Sequence, residues 1–238
     1  MFMTTLFFAQ NNKEDSMKKI LIASLAALTL AGCNSAATKT ESAAATKPVG
    51  ITGSLMSTEV MHNGEKVTVM RNQDTKNTVN PSFAMTSRPC PPFCIQPIVL
   101  APGVETIGEV EMVGYMEAVS AGDDSVLIID SRTPDWAARG MIPGAVNIPW
   151  TKLSTRKGAD PISIGEIIVD DFGGEEFDGL WKYGKAKTLV MYCNGMWCGQ
   201  SPTNIKALLD FGYPADKIKW YRGGMQDWET LGFTTVKP

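Results

Sequence analysis

The sequence predicts an α/β domain with a parallel sheet, preceded by a small N-terminal extension that contains a β-hairpin. From about residue 107 onward, short apolar segments typical of buried strands alternate with segments of helical spacing. Before that point, apolar and polar residues alternate around an Asn-Gly pair, which favours a tight hairpin turn. The apolar share of 44% is sufficient for a packed core, and the formal net charge of -3 provides no basic surface for nucleic acid.

Residues 1–33 predict a secretory signal of the lipoprotein type. From Met17, where translation is expected to begin, the chain reads MKKILIASLAALTLAGC: two lysines, an apolar run and a small-residue exit. The apolar run is shorter than the ~20 residues that a membrane span needs. Its ending, LAGC, resembles the bacterial lipoprotein box, which implies cleavage before Cys33 and a lipid on that residue. We therefore expect a membrane-anchored protein of the cell envelope that faces the periplasm.

Residues 34–50 predict a flexible tether, because they are polar, of low complexity and too poor in apolar groups to fold. Asn34 stands where enteric bacteria use an aspartate to retain lipoproteins in the inner membrane. This weakly favours the outer membrane, and the choice between the two membranes stays open.

Residues 51–106 form the predicted extension. The segment LMSTEVMHNGEKVTVMRN alternates around Asn63-Gly64 and predicts a hairpin at about 54–72. The proline-rich segment that follows, here called the arm (residues 73–97), is expected to be ordered by docking and not by a core of its own. The arm contains Cys90 and Cys94 in the sequence CPPFC.

Residues 107–238 form the predicted α/β domain. IGEVEMVGYMEAVSAG predicts a helix from the apolar spacing of Val110, Val113, Met116 and Val119. SVLIID predicts a strand that ends in Asp130, and TPDWAARG a short helix capped by Thr133. IPGAVNIPW predicts a turn and a short strand. The irregular, acidic segment 152–186 predicts no element.

The remaining elements follow the same alternation. TLVMY and KIKWY predict strands, and GGMQDWETLGF predicts a turn and a short helix. SPTNIKALLDFGY predicts a helix with Ser201 at the N-cap and Pro202 at its first position. Its inward face is expected to carry Ile205, Leu208 and Leu209.

Cys193 directly follows the strand TLVMY, at the edge of a parallel sheet where reactive groups gather. The glycine-containing loop after it can turn backbone N–H groups inward, and the next helix adds its dipole, so a thiolate can be stabilised without a base. The only histidine, His62, lies in the hairpin turn, which excludes His-rich metal sites and disfavours a Cys-His triad. From these residues alone, a packed or disulfide-bonded Cys193 stays open.

Three motifs then occur in the order found in the rhodanese homology domain: LIIDSRTPDWAARGMIPGAVNIPW, LVMYCNGMWCGQS and KWYRGGMQDWETLGF. Residues 107–238 thus resemble a rhodanese-like (sulfurtransferase) domain. The resemblance implies a five-stranded parallel sheet flanked by helices, and a cysteine that needs no cofactor. That cysteine would take a sulfane sulfur from a small donor such as thiosulfate and pass it, as a persulfide, to a thiol or other acceptor.

The resemblance places Cys193 as the nucleophile and Asp130 and Arg132 at the border of the site. The loop cradle would consist of Asn194, Gly195, Met196, Trp197, Cys198, Gly199, Gln200 and Ser201. Three departures stand out: a loop two residues longer than usual, Met141 in place of a frequent histidine, and Gln200 in place of a loop cation. Candidates to supply the missing cation are Arg132, Lys206 and Arg222.

The other cysteines leave several functions open. Cys198 is either a resolving thiol for Cys193 or a packed thiol. Cys90 and Cys94 are either a disulfide in an oxidising compartment or a second exchanging pair. Zinc binding by these four cysteines is not expected, because the spacings C-x3-C and C-x4-C are unusual. The principal hypothesis is a sulfurtransferase; the alternatives are a thiol–disulfide oxidoreductase or redox sensor and a non-catalytic binding module.

Overall fold

The computed structural model describes residues 47–238. The predicted signal, Cys33 and tether residues 34–46 lie outside the described residues. The end of the predicted tether is not free: the amide of Val49 donates to Gln73 Oε1 at 3.0 Å, and the carbonyl of Gly50 accepts from Arg71. Within the described residues, no helix has the length and apolar character to cross a membrane.

The predicted hairpin is present and consists of β1 (Ser57–His62) and β2 (Glu65–Met70), which pair antiparallel. Its turn residues, Asn63 and Gly64, have positive φ angles of 49° and 83°, as the favoured hairpin turn requires. Val60 and Val69 are buried in the same core as the central sheet.

The central sheet confirms the predicted fold class. Its five parallel strands lie in the order β3, β9, β8, β4, β5. In chain order the strands are β3 (Glu105–Ile107), β4 (Val126–Asp130), β5 (Val146–Asn147), β8 (Thr188–Tyr192) and β9 (Ile218–Tyr221). A separate antiparallel pair consists of β6 (Glu175–Phe177) and β7 (Leu180–Lys182).

Helices cover both faces of the sheet. They are α1 (Glu109–Ser120), α2 (Pro134–Ala137), α3 (Pro161–Asp170), α4 (Gln200–Asp210) and α5 (Gly224–Thr230). One apolar core joins α1, α5 and the hairpin to the sheet, and the other joins α3 and α4 to it. Because β8 lies in the middle of the sheet between these cores, its carboxyl end is held firmly on both sides.

Three local predictions need correction. In α1, Met112 is buried and Val110 is 58% exposed, because the helix begins at Glu109 and turns a different stripe inward. In α4, Leu209 is only partly buried. The segment 152–186, for which no element was predicted, contains α3 and the β6–β7 pair.

Candidate functional site

Cys193 lies immediately after β8, at the carboxyl end of the central strand, and is 2% exposed. Residues 193–200, here called the cysteine loop, connect β8 to α4. The loop is held by the start of α5, whose Met225 and Gln226 amides donate to the carbonyls of Cys193 and Asn194 at 3.0 and 2.9 Å. Gly224 adopts a φ of 55°, and a Cβ at this position would collide with the Cys193 carbonyl.

Several donors converge on the sulfur of Cys193. Burial by itself raises the pKa of this thiol. Hydrogen bonds from the Cys198 thiol, the Ser201 hydroxyl and the amides of Ser201 and Gly195 act in the opposite direction and lower the pKa to about 7. A substantial thiolate fraction is therefore present at neutral pH without a histidine.

Ser201 does not act as the predicted N-cap. The helix α4 begins two residues earlier than predicted, at Gln200, and Gly199 occupies the N-cap position. The Ser201 hydroxyl instead donates to Cys193 Sγ at 3.2 Å and accepts from Trp220 Nε1 at 3.2 Å. The side chain that would have capped the helix is thus a fixed donor to the sulfur.

Cys198 lies beside Cys193 with the opposite tendency. Burial raises its pKa well above that of an ordinary thiol, and its hydrogen bond to Cys193 and the charge of that sulfur raise it further. In its protonated form the Cys193 thiol donates to the Cys198 carbonyl at 3.5 Å. Cys198 therefore stays protonated while Cys193 ionises, and its S–H is available to stabilise the neighbouring thiolate.

Asp130 and Arg132 form a buried ion pair at the end of β4, with side-chain exposures of 0% and 1%. Arg132 also donates to the carbonyl of Gly140 at 2.6 Å and reaches Asn194 Oδ1 at 3.5 Å. The guanidinium of Arg132 is thus bound entirely by groups of the protein itself. Arg132 therefore positions the cysteine loop and does not replace the missing loop cation.

The other two candidate cations are also committed or remote. Arg222 donates from Nε and Nη2 to the carbonyl of Gln96, at 3.2 and 2.8 Å, and so fastens the arm. Lys206 is exposed on α4 and lines a different cleft, together with Arg156. His62 is equally unavailable as a base, because its ring nitrogens bond to the amide of Gly144 and the carbonyl of Lys237.

The arm docks on the cysteine loop. The Gln96 amide donates to the Met196 carbonyl at 2.8 Å, and the rings of Phe93 and Trp197 meet edge to face with centroids 5.3 Å apart. Cys90 and Cys94 are joined in a disulfide within the arm. Arg88 stacks over both rings, 4.8 Å from each centroid. Arg88 was not among the residues predicted for the site. The one feature of the sequence that could have indicated it is its position, two residues before Cys90, in a chain whose cysteine loop has no cation of its own.

Among residues 47–238, no group of three or more His, Cys, Asp or Glu side chains could hold a metal ion. The arrangement can do nucleophilic sulfur chemistry: one ionised thiol, one protonated thiol and fixed hydrogen-bond donors.

Thr133 occupies the N-cap position of α2, but its hydroxyl donates to the carboxylate of Asp135 and not to the helix backbone.

Comparison with known proteins finds solved structures of partial similarity. No curated protein matches the chain. Solved structures that resemble it include a protein of unknown function, described as a possible tyrosine phosphatase, from Rhodopseudomonas palustris (23% identity, 56% of this chain and 85% of that chain, TM-score 0.39). Others are a human single-domain sulfurtransferase (22%, 52% and 95%, TM-score 0.34) and a thiosulfate sulfurtransferase from Pseudomonas aeruginosa (18%, 56% and 20%, TM-score 0.36).

Two family models match the sequence itself. Residues 17–34 match the prokaryotic membrane lipoprotein lipid attachment site, which includes Cys33. Residues 116–231 match the rhodanese-like domain, a range that includes Asp130, Arg132 and the whole cysteine loop. The chain therefore carries a lipoprotein attachment motif followed by a domain of the rhodanese-like family.

Proposed function

We propose that the protein is a sulfurtransferase anchored in the cell envelope, with Cys193 as the carrier of a sulfane sulfur. The observation that carries the proposal is the set of donors around Cys193 Sγ, which lowers the pKa of the thiol to about 7. The thiolate is the nucleophilic form of cysteine, and burial in a rigid loop keeps it in one orientation.

Sulfur transfer then proceeds in two displacements. The Cys193 thiolate attacks the outer sulfur of thiosulfate or a polysulfide; a new S–S bond forms, and sulfite or a shorter polysulfide leaves with the electron pair of the broken bond. An acceptor thiolate next attacks the outer sulfur of the Cys193 persulfide. The acceptor leaves as a persulfide, and Cys193 returns as a thiolate, so no external oxidant and no cofactor is required.

The location belongs to the same proposal. A lipid on Cys33 would hold the domain at the membrane, facing the periplasm. The attachment motif supports this, and the Cys90–Cys94 disulfide is typical of an oxidising compartment.

The direct test is the mass of the purified protein before and after incubation with thiosulfate, and separately with polysulfide. We expect a gain of one sulfur atom that maps to the peptide containing Cys193 and disappears on treatment with a reductant. Absence of this gain at Cys193 with both donors would contradict the proposal.

A second candidate function is thiol–disulfide exchange or redox sensing, which the hydrogen bond between Cys198 and Cys193 favours. If the Cys198 thiol, once deprotonated, attacked the inner sulfur of a Cys193 persulfide, an intraloop disulfide would form and hydrosulfide would leave. Such a bridge would have to be reversible to act as a switch.

Replacing Cys198 distinguishes its two roles. In Cys198→Ala the thiolate of Cys193 loses a donor, so the pKa of Cys193 rises and its alkylation at pH 7 falls about fivefold. Cys198→Ser retains a donor and should stay close to the parent protein. The measurement is the alkylation rate of Cys193 from pH 5 to 10; in the parent protein this rate rises with pH through about 7, as the thiol ionises.

The same variants test the exchange reaction. If the bridge is the function, both variants lose thiol–disulfide turnover although Cys198→Ser still carries sulfur. A Cys193 that reacts at pH 6 no faster than an ordinary thiol would instead favour the non-catalytic binding module.

A further inference from the structure

An aromatic cavity of about 330 Å³ opens beside the cysteine loop. Four aromatic side chains line it: Phe93 of the arm, Trp136 of α2, Trp150 just after β5, and Trp197 of the cysteine loop. Arg88 and Gln200 also line it, and Cys198 is the cysteine on its wall. The volume is that of a small-molecule site, with space for a ligand of one or two rings.

Each tryptophan of this cavity carries a cation on its ring. The guanidinium of Arg139 lies 4.4 Å from the ring centroid of Trp136, the ammonium of Lys157 lies 5.2 Å from that of Trp150, and Arg88 stacks on Trp197. Of these cations, only Arg139 has an acidic partner in the part of the chain that the structure describes, with 3.9 Å between it and Asp135. The surroundings of the cavity are therefore cationic as well as apolar.

Three of the lining residues each have one fully buried side-chain atom without a hydrogen-bond partner among residues 47–238: Arg88 Nε, Trp150 Nε1 and Gln200 Oε1. Buried polar groups are almost always hydrogen-bonded, so three unpaired ones among the lining residues of one cavity are unusual, and a small side-chain shift on binding would let an occupant supply their partners. Two of the three are donors, which favours an occupant that accepts hydrogen bonds.

We propose that this cavity binds a small anion with a flat apolar body, of the class of aromatic carboxylates, sulfonates or thiolates, and that Arg88 is its main charge partner. The rings provide the apolar surface, and the guanidinium provides charge where Gln200 provides none. The arm, and not the loop, thus supplies the cation. The binding of this ligand is independent of the proposed function. Its further role as the sulfur acceptor, which would take the sulfur from Cys193 on the side of the loop where Cys198 lies, rests on the proposed function.

The test compares three probes of one shape: 2-naphthalenesulfonate, the uncharged 2-naphthalenemethanol and the cationic 2-naphthylmethylammonium. Calorimetric titration uses the full-length protein in nanodiscs, with empty nanodiscs as the blank. We expect the sulfonate to bind most tightly, and Arg88→Gln to weaken it about tenfold or more. The matched control is Arg156→Gln, which removes an exposed charge outside this cavity and should leave the affinity unchanged.

Arg88→Gln also removes the stacking on Phe93 and Trp197, so a second variant is needed. Gln200→Glu adds a negative charge to the lining at a residue that does not stack on the rings; it should weaken the binding of the sulfonate and leave that of the neutral probe unaffected. The proposal is overturned if the neutral or cationic probe binds as tightly as the sulfonate, or if neither variant discriminates between the probes.

Sulfur loading of Cys193 is measured on the same samples. Loading without selective sulfonate binding would refute this inference alone, and selective binding without loading would refute the proposed function alone.

Discussion

Replacing Cys193 by serine is expected to abolish sulfur transfer. The donors around this position stabilise a thiolate, but a serine hydroxyl does not ionise near neutral pH and cannot hold a sulfane sulfur as a persulfide. The measurement is the amount of persulfide formed on a low-molecular-weight thiol after mixing with thiosulfate or polysulfide, together with the intact mass of the protein.

The loss must be separated from unfolding. Serine is close in size to cysteine and can keep the hydrogen bond to Ser201, so the unfolding transition of the variant should stay near that of the parent. The matched control replaces the two cysteines of the arm: Cys90→Ser/Cys94→Ser should still gain a sulfur at Cys193. A sulfur gain of undiminished size in Cys193→Ser would show that another residue is the carrier.

The location of the candidate site could be predicted because it follows from local patterns. An apolar strand ends at Tyr192, a glycine-containing loop follows, and parallel strands bring their carboxyl ends to one edge. The hairpin could be predicted for the same reason, since the Asn63-Gly64 pair defines its turn without help from the rest of the chain.

The start of helix α3 has a local sequence signal, but it lies in a segment whose acidic composition suggested irregular structure. Asp160 accepts hydrogen bonds from the amides of Ile162 and Ser163, with Pro161 at the first helical position. The acidic run that follows the helix masked this cap. The β6–β7 pair is mostly exposed, so it has no apolar alternation to detect.

The contacts of Arg88, Phe93 and Ser201 could not be predicted, because they depend on residues far apart in the sequence. Arg88 and Phe93 meet Trp197 only after the arm has docked. Ser201 fits the sequence pattern of a helix N-cap. Its hydroxyl instead donates to the buried Cys193 sulfur, because that hydrogen bond is worth more than the local preference of serine for the N-cap. In each case tertiary packing decides the contact, which no local pattern encodes.

The buried pair of Asp130 and Arg132 gives the largest expected effect on stability. Arg132→Met leaves the Asp130 carboxylate in the core without its partner, and such a change costs about 3–5 kcal/mol in the free energy of unfolding. It also removes the contact to Asn194, so the cysteine loop should loosen and sulfur transfer should fall. Denaturant unfolding monitored by tryptophan fluorescence measures the first effect.

A double replacement shows whether the cost comes from the stranded charge. Asp130→Asn/Arg132→Met has no buried charge at this place and should be more stable than Arg132→Met alone, which an additive contribution of the two side chains would not produce. The control at the surface is Lys185→Met, which breaks an ion pair with Glu175 whose side chains are 82% and 53% exposed and should change stability little. If Arg132→Met changed the free energy of unfolding as little as Lys185→Met, the buried pair would not be what holds the site together. Asp130 ends β4, and Arg132 contacts Asn194, the residue after Cys193. If Arg132→Met lowers both the free energy of unfolding and the rate of sulfur transfer while Lys185→Met lowers neither, this one ion pair links the stability of the sheet to the geometry of the cysteine loop.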